Sequence, residues 1–199
     1  MRYLSLSDPL TIERRLSVAV NLPLHLVCTK FTTDVTQMES TWRGRRKALG
    51  KLLTELKLGP SERANGLCFP QKRLSLSHSG CWSIAAGTSS MKLQGIGIDF
   101  ESNRDMDASS TRLFLSGRER MRLGENNSQV LRLWSIKEAI FKSDPNNHLY
   151  RIWNYELLNP ILHSGRAFRI GCNKKFHYFS LNLHEGVLAI AVCTGRNPL

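Results

Sequence analysis

Two stretches constrain this chain more than any others: Gly95-Ile-Gly-Ile-Asp-Phe-Glu101 and Trp134-Ser-Ile-Lys-Glu-Ala-Ile-Phe-Lys142. In the first, Ile96, Ile98 and Phe100 alternate with Gly95, Gly97, Asp99 and Glu101, which is the period of a strand. Asp99 and Glu101 therefore project from one face, and the two glycines are expected to leave that face open beside them. The second stretch has helical spacing, with Trp134, Glu138, Phe141 and Lys142 along one stripe. An acid and a lysine between two aromatics are costly to bury unless something charged lies opposite.

Asp99, Glu101 and Glu138 together would make a hard, oxygen-rich cluster. Like charges held close repel one another, and a divalent cation relieves that repulsion. Magnesium takes one or two protein carboxylates and fills its other positions with water and substrate phosphate. Lys142, one turn beyond the third acid, suits a phosphate oxygen. The plainer reading of the same residues is an edge strand ending in solvent and a Glu138–Lys142 pair on a helix surface.

Gly-Ile-Asp-x-Glu followed by Trp-Ser-x-Lys-Glu-Ala-x-x-Lys resembles the signature of the 4′-phosphopantetheinyl transferases. The resemblance is to the larger, monomeric kind, nearest the enterobactin-synthetase component D branch. It implies transfer of phosphopantetheine from coenzyme A to a serine of an acyl or peptidyl carrier protein, with magnesium. Adenosine 3′,5′-bisphosphate would be released. It also implies an α+β fold of two similar halves about a pseudo-twofold axis, each with an antiparallel sheet and a long helix. Residues 1–103 would form the coenzyme A side, ending in the Asp-x-Glu strand, and residues 104–199 would carry the Lys-Glu helix and the last strands. The active site would lie in the cleft between them.

In that arrangement Asp99, Glu101 and Glu138 hold magnesium, while Lys142 and His78 add charge on the pyrophosphate oxygens. Glu138, directly or through a metal-bound water, is the acceptor for the serine proton. Lys137 is expected to pair with a neighbouring acid, and Glu119 is a further metal-side candidate. The string Ser75-Leu-Ser-His-Ser-Gly80 also matches the family, whose histidine there contacts coenzyme phosphates. Ser77 or Ser79 would add hydroxyl donors. Read without the family, the Ser-His-Ser trio invites a hydrolase. Yet a triad needs an orienting acid and an oxyanion hole, and no Gly-x-Ser-x-Gly elbow is present. An arginine near the start of the first long helix meets coenzyme A in the family; Arg45 and Arg46 both stand as candidates. The family's Pro-x-(Trp/Phe)-Pro loop is matched in part by Leu67-Cys-Phe-Pro70, where Leu67 replaces the first proline.

A chain of 199 residues can bury a sizeable core as one domain or two small halves. Lys and Arg number 28 against 16 Asp and Glu, a formal charge of +12 spread along the sequence. That charge calls for polyanionic partners: nucleic acid, or phosphorylated and acidic ligands. A basic nucleic-acid-binding module is thus the rival reading, but no helix-turn-helix, zinc or RNP-like pattern supports it, and it leaves the acids unexplained. An inactive relative that only binds carriers is a second rival, opposed by the intact Asp99, Glu101, Glu138 and Lys142. Five cysteines without a CxxC argue against a disulfide framework or a zinc ribbon. No signal-peptide pattern or membrane span is read, so a cytoplasmic protein is expected, and the resemblance implies a monomer.

Along the chain, Leu22–Thr29 reads as a strand, and Val18–Val20 either extend it or belong to a preceding element. Thr41–Leu58 is a helix with Ala48, Leu49, Leu52, Leu53 and Leu56 on its apolar stripe, stopped by Gly59-Pro60. Ser61–Pro70 is a loop, followed by strands either side of Ser79-Gly80. Ser102–Ser110 joins the halves, Thr111–Leu123 is helical, and Glu125–Ser128 is a loop and cap. Asp144-Pro145 ends the Trp134 helix. Asn146–Asn159 reads as a loop whose Tyr150, Trp153 and Tyr155 pack against that helix. Three antiparallel strands close the chain, the last pair turning at Glu185-Gly186. Aligning Gly80 with Gly186 also pairs His78 with His184, Ile84 with Ile190 and Thr88 with Thr194, an echo of one hairpin in each half.

Overall fold

The first helix, α1 (Pro9–Val20), begins where an Asp-Pro step fixes it. Asp8 accepts a hydrogen bond from the Thr11 amide, and Pro9 sits in the first turn, where its missing N–H costs nothing. Ile12 and Leu16 are its buried residues. Val18–Val20 belong to this helix and do not extend the following strand. The chain then leaves through Asn21 in the left-handed region (φ 53°). The computed structural model describes residues 3–31, 37–56, 73–90, 92–123, 129–147 and 151–194, with residues 37–42 and 108 through their backbone alone. The Ser61–Pro70 loop, with Leu67, Phe69 and Pro70, the Glu125–Ser128 cap and Tyr150 lie outside the described residues.

Three strands, β1 (His25–Lys30), β2 (Leu74–Ser79) and β3 (Trp82–Gly87), form an antiparallel sheet in the order β1-β3-β2. Gly80, at φ +57°, supports the tight β2–β3 turn. The helix α2 (Gln37–Glu55) lays Ala48, Leu52 and Leu53 on this sheet against Val27, Leu74 and Ala85. The second sheet runs β4-β8-β7-β6-β5, where β4 is Leu93–Ser102, β5 Tyr155–Leu157, β6 Ser164–Arg169, β7 Lys175–Asn182 and β8 Gly186–Thr194. Every neighbouring pair in it is antiparallel. The Asp-x-Glu strand β4 is therefore bonded to the last strand of the chain, with Asp99 opposite Ala189 and Glu101 opposite Val187.

Helix α4 (Val130–Ser143) packs against β4 and β8, behind α3 (Gly117–Leu123) in chain order. The expected single helix over Thr111–Leu123 is instead a 3-10 turn, Ala108–Leu113, then α3, with Phe114 and Leu115 buried between them. The stripe buried by α4 is Val130, Leu133, Ile136, Ala139 and Ile140. Trp134, Glu138, Phe141 and Lys142 form the half-buried face next to it. The stretch after α4 is not all loop: β5 adds an edge strand, and Tyr155 stacks edge-on against Phe141 and Phe176 at centroid distances of 6.3 and 5.5 Å. Trp153 stays half exposed.

The glycines of β4 do not leave open space. A Cβ on Gly97 would collide with the Ala139 carbonyl oxygen, and one on Gly95 with that of Ser143. The missing side chains let the backbone of α4 lie against the strand. Both expected hairpins occur, but the last turns at His184-Glu185, because the Leu183 amide already bonds the Gly186 carbonyl. The architecture is mixed α+β with two antiparallel sheets and four α-helices among the described residues. No described helix is long and apolar enough to cross a membrane, and the four described cysteines are free.

Candidate active site

The two sheets meet where β2 runs beside β4, and Ser75, Ser77 and Ser79 make the join. Their hydroxyls accept hydrogen bonds from the amides of Ile98, Phe100 and Ser102 at 2.9, 3.0 and 3.0 Å. Alternate amides of a strand point to opposite edges, so serines spaced two apart serve three successive amides along one edge of β4, from Ile98 to Ser102. The junction opens into a cavity of about 600 Å³ lined by Arg45, His78, Asp99, Glu101, Glu138 and Lys142. A larger cavity of about 990 Å³ borders Arg104 and has Asp105 as its one acid, so the chemistry and not the volume singles out the first.

Asp99 is buried, at 4% exposure. Its Oδ1 accepts from Lys142 Nζ at 2.7 Å and from Ser77 Oγ at 3.0 Å. Its Oδ2 is buried with no hydrogen-bond partner among the described residues. Glu101 accepts from Trp134 Nε1 at 2.8 Å through Oε1 and pairs with Arg104 at 3.0 Å through Oε2. Burial, and then the charge of Asp99, push the Glu101 carboxyl above its ordinary range. Trp134 is itself braced edge-on by Phe114, 5.2 Å between centroids. Glu138 lines the cavity from α4, four residues before Lys142.

His78 takes a hydrogen bond from Arg45 Nη2 at 2.7 Å on Nε2. Burial, with the nearby charges of Arg45 and Lys142, drives its pKa down to about 4. It is a neutral imidazole at pH 7, so it offers hydrogen bonding and not the positive charge expected of it. Arg45 reaches the cavity; Arg46 is exposed and is not among the lining residues. Ser77 lies at the site with its proton engaged by Asp99, and Ser79 contacts Glu101 Oε2 at 3.4 Å and Ser102 Oγ at 3.1 Å.

Glu119 is not near the metal side. It is fully buried and paired with Lys137 at 2.7 Å, and it also accepts the amides of Ser116 and Leu157, each at 2.7 Å. Lys137 pairs with an acid, as expected, and also bonds the Tyr155 carbonyl. Trp134 and Arg104, which fix Glu101, were not read as site residues; the aromatic in the helix stripe was the signal for the first. Among the described residues no three His, Cys, Asp or Glu side chains close into a preformed metal cluster. The donor set nonetheless fits a magnesium ion. One buried carboxylate oxygen lacks a partner, a second carboxylate is destabilised by its neighbour, and Mg²⁺ needs only one or two protein ligands.

Residues 95–193 match the 4′-phosphopantetheinyl transferase superfamily. That segment is similar to a family of transferases, one that generally uses coenzyme A and a divalent metal. It holds Asp99, Glu101, Glu138 and Lys142, all of α4 and strands β5 to β7 entire. The cavity wall formed by Arg45, Ser77 and His78 lies outside the matched segment. No curated protein matches the chain.

Proposed function

We propose that this cleft transfers the 4′-phosphopantetheine arm of coenzyme A to a serine of an acyl or peptidyl carrier protein, leaving adenosine 3′,5′-bisphosphate. The observation that carries the proposal is the Asp99–Lys142 pair, with a free carboxylate oxygen beside it, inside the segment that matches the phosphopantetheinyl transferases. In this reading residues 1–103 supply the coenzyme side and residues 104–199 the Lys-Glu helix, as two related halves, although β4 is bonded into the C-terminal sheet. The enzyme works as a cytoplasmic monomer, nearest the enterobactin-synthetase component D branch.

Asp99, Glu101 and Glu138 would hold magnesium, which supplies charge neutralisation on the bridging phosphate oxygens when bound. Lys142 moves its ammonium from Asp99 Oδ1 toward the pyrophosphate as that anion enters. Arg45 supplies the second fixed cation of the coenzyme wall, and His78, neutral, donates a hydrogen bond to a phosphate oxygen. Glu138 takes the proton of the attacking serine hydroxyl, the oxygen forms its bond to the β-phosphorus, and the bridging oxygen leaves with adenosine 3′,5′-bisphosphate.

Incubation of the protein with coenzyme A, magnesium and apo-carriers of the peptide-synthetase, polyketide and fatty-acid kinds tests this directly. Intact-mass spectrometry should show a phosphopantetheine adduct on at least one carrier. No adduct on any carrier, together with sequence-selective retention of duplex DNA at physiological salt, would favour the nucleic-acid rival.

A further inference from the structure

We infer that Ser77 is a positioning residue: it selects which oxygen of Asp99 faces the cation, an inference that rests on the metal reading above. A serine hydroxyl has one proton and two acceptor lone pairs. At Ser77 a lone pair is used by the Phe100 amide at 3.0 Å, and the proton is directed at Asp99 Oδ1 at 3.0 Å. Lys142 approaches the same oxygen at 2.7 Å. Both donors therefore gather on Oδ1, and the carboxylate cannot turn without breaking them. Among the described residues Oδ2 is left buried and unpartnered, the one carboxylate oxygen of the cluster in that condition.

The serine ladder contains its own control. Ser75 forms the same kind of rung, accepting the Ile98 amide at 2.9 Å, but the β4 residue on that rung's near side is Gly97, which has no side chain to orient. Loss of either hydroxyl removes one link between the sheets; loss of the Ser77 hydroxyl also releases Asp99. An outer partner that aims a metal ligand is worth about 10- to 100-fold in metal affinity. Lys142 leaves Oδ1 as the pyrophosphate arrives, so in the working complex Ser77 is the donor that keeps Asp99 aligned.

The test is a Mn²⁺ titration followed by the electron paramagnetic resonance signal of the free ion, with coenzyme A present. It is run on the full chain and on its Ser75→Ala and Ser77→Ala variants, with thermal unfolding in parallel. Both variants should lose similar thermal stability. Ser77→Ala should weaken Mn²⁺ binding at least about tenfold, while Ser75→Ala binds as the unsubstituted chain does. Unchanged affinity in Ser77→Ala, or an equal loss in Ser75→Ala, overturns the inference and leaves the ladder purely structural. If Ser77→Ala does not fold, Ser77→Cys, whose thiol is a weak donor of similar size, carries the same comparison. Failure of the unsubstituted chain to bind Mn²⁺ would overturn the metal reading itself, and this inference with it.

Discussion

Lys137 Nζ stands 2.7 Å from Glu119 Oε1, and neither side chain has any exposure to solvent. Burial pulls the Lys137 pKa down while Glu119 opposes the shift. The pair ties α4 to α3 and, through the Tyr155 carbonyl and the Leu157 amide, to the edge strand β5. Lys137→Met would strand a carboxylate in a dry site, at a cost of about 3–5 kcal/mol. Pairing it with Glu119→Gln should recover much of that loss. Urea unfolding of the single and double variants checks both statements, and a single-variant loss under about 1 kcal/mol, the range of an exposed pair, would contradict them.

The acid cluster itself is expected to cost stability. The Glu101 pKa is raised in the folded chain, so its favourable contribution is present below the ordinary carboxylate range and is lost as pH rises through the raised value. At pH 7 with chelator present, Glu101→Gln should therefore raise the Tm, since the amide oxygen can still accept from Trp134. Phosphopantetheine transfer should fall in the same variant. A lower Tm would mean that the Arg104 pair outweighs burial and repulsion.

Glu138→Gln removes one charge while keeping volume and helix propensity. Folding should survive, and transfer should drop at least roughly a hundredfold, the scale of a misplaced metal or a lost base. Excess magnesium restores part of the rate if ligation dominates and none if proton acceptance does. Near-normal transfer in this variant would remove Glu138 from the site.

His78 gives the site a pH signature. Its pKa is lowered from 6.5 to about 4 in the folded chain, so between those values the unfolded chain binds a proton that the folded one refuses. Stability from this residue is complete above pH 6.5 and is lost as pH falls toward 4. His78→Gln should flatten that part of the Tm–pH curve. An NMR titration that finds the ring ionising near its ordinary value would refute the neutral assignment.

Much of this was legible in the sequence because the decisive elements carry their own punctuation. Asp144-Pro145 ends α4, Gly80 turns β2 into β3, and alternation marks β4. Asp8-Pro9 marks the start of α1 in the same way. What local pattern could not supply was partnership across the chain. Nothing near Glu101 says that its strand pairs with β8 almost ninety residues on, where Val187 lies opposite it. Likewise Ser75, Ser77 and Ser79 show strand spacing but not whose amides they meet. Glu119 carried the right chemistry for a metal and was claimed by Lys137, a contact that only the packing of α3 on α4 creates.

Gly95 and Gly97 bear on how this site tolerates change. Because α4 rests on β4 main chain to main chain, the gap between the strand's acids and the helix's lysine is gauged by peptide units and not by the size of any core residue. Drift among the Ile, Leu and Val side chains elsewhere can alter how firmly the domain holds together without resetting that gap. Any side chain in place of Gly97, even a single methyl, would shim the helix outward and detune the Asp99–Lys142 spacing at once.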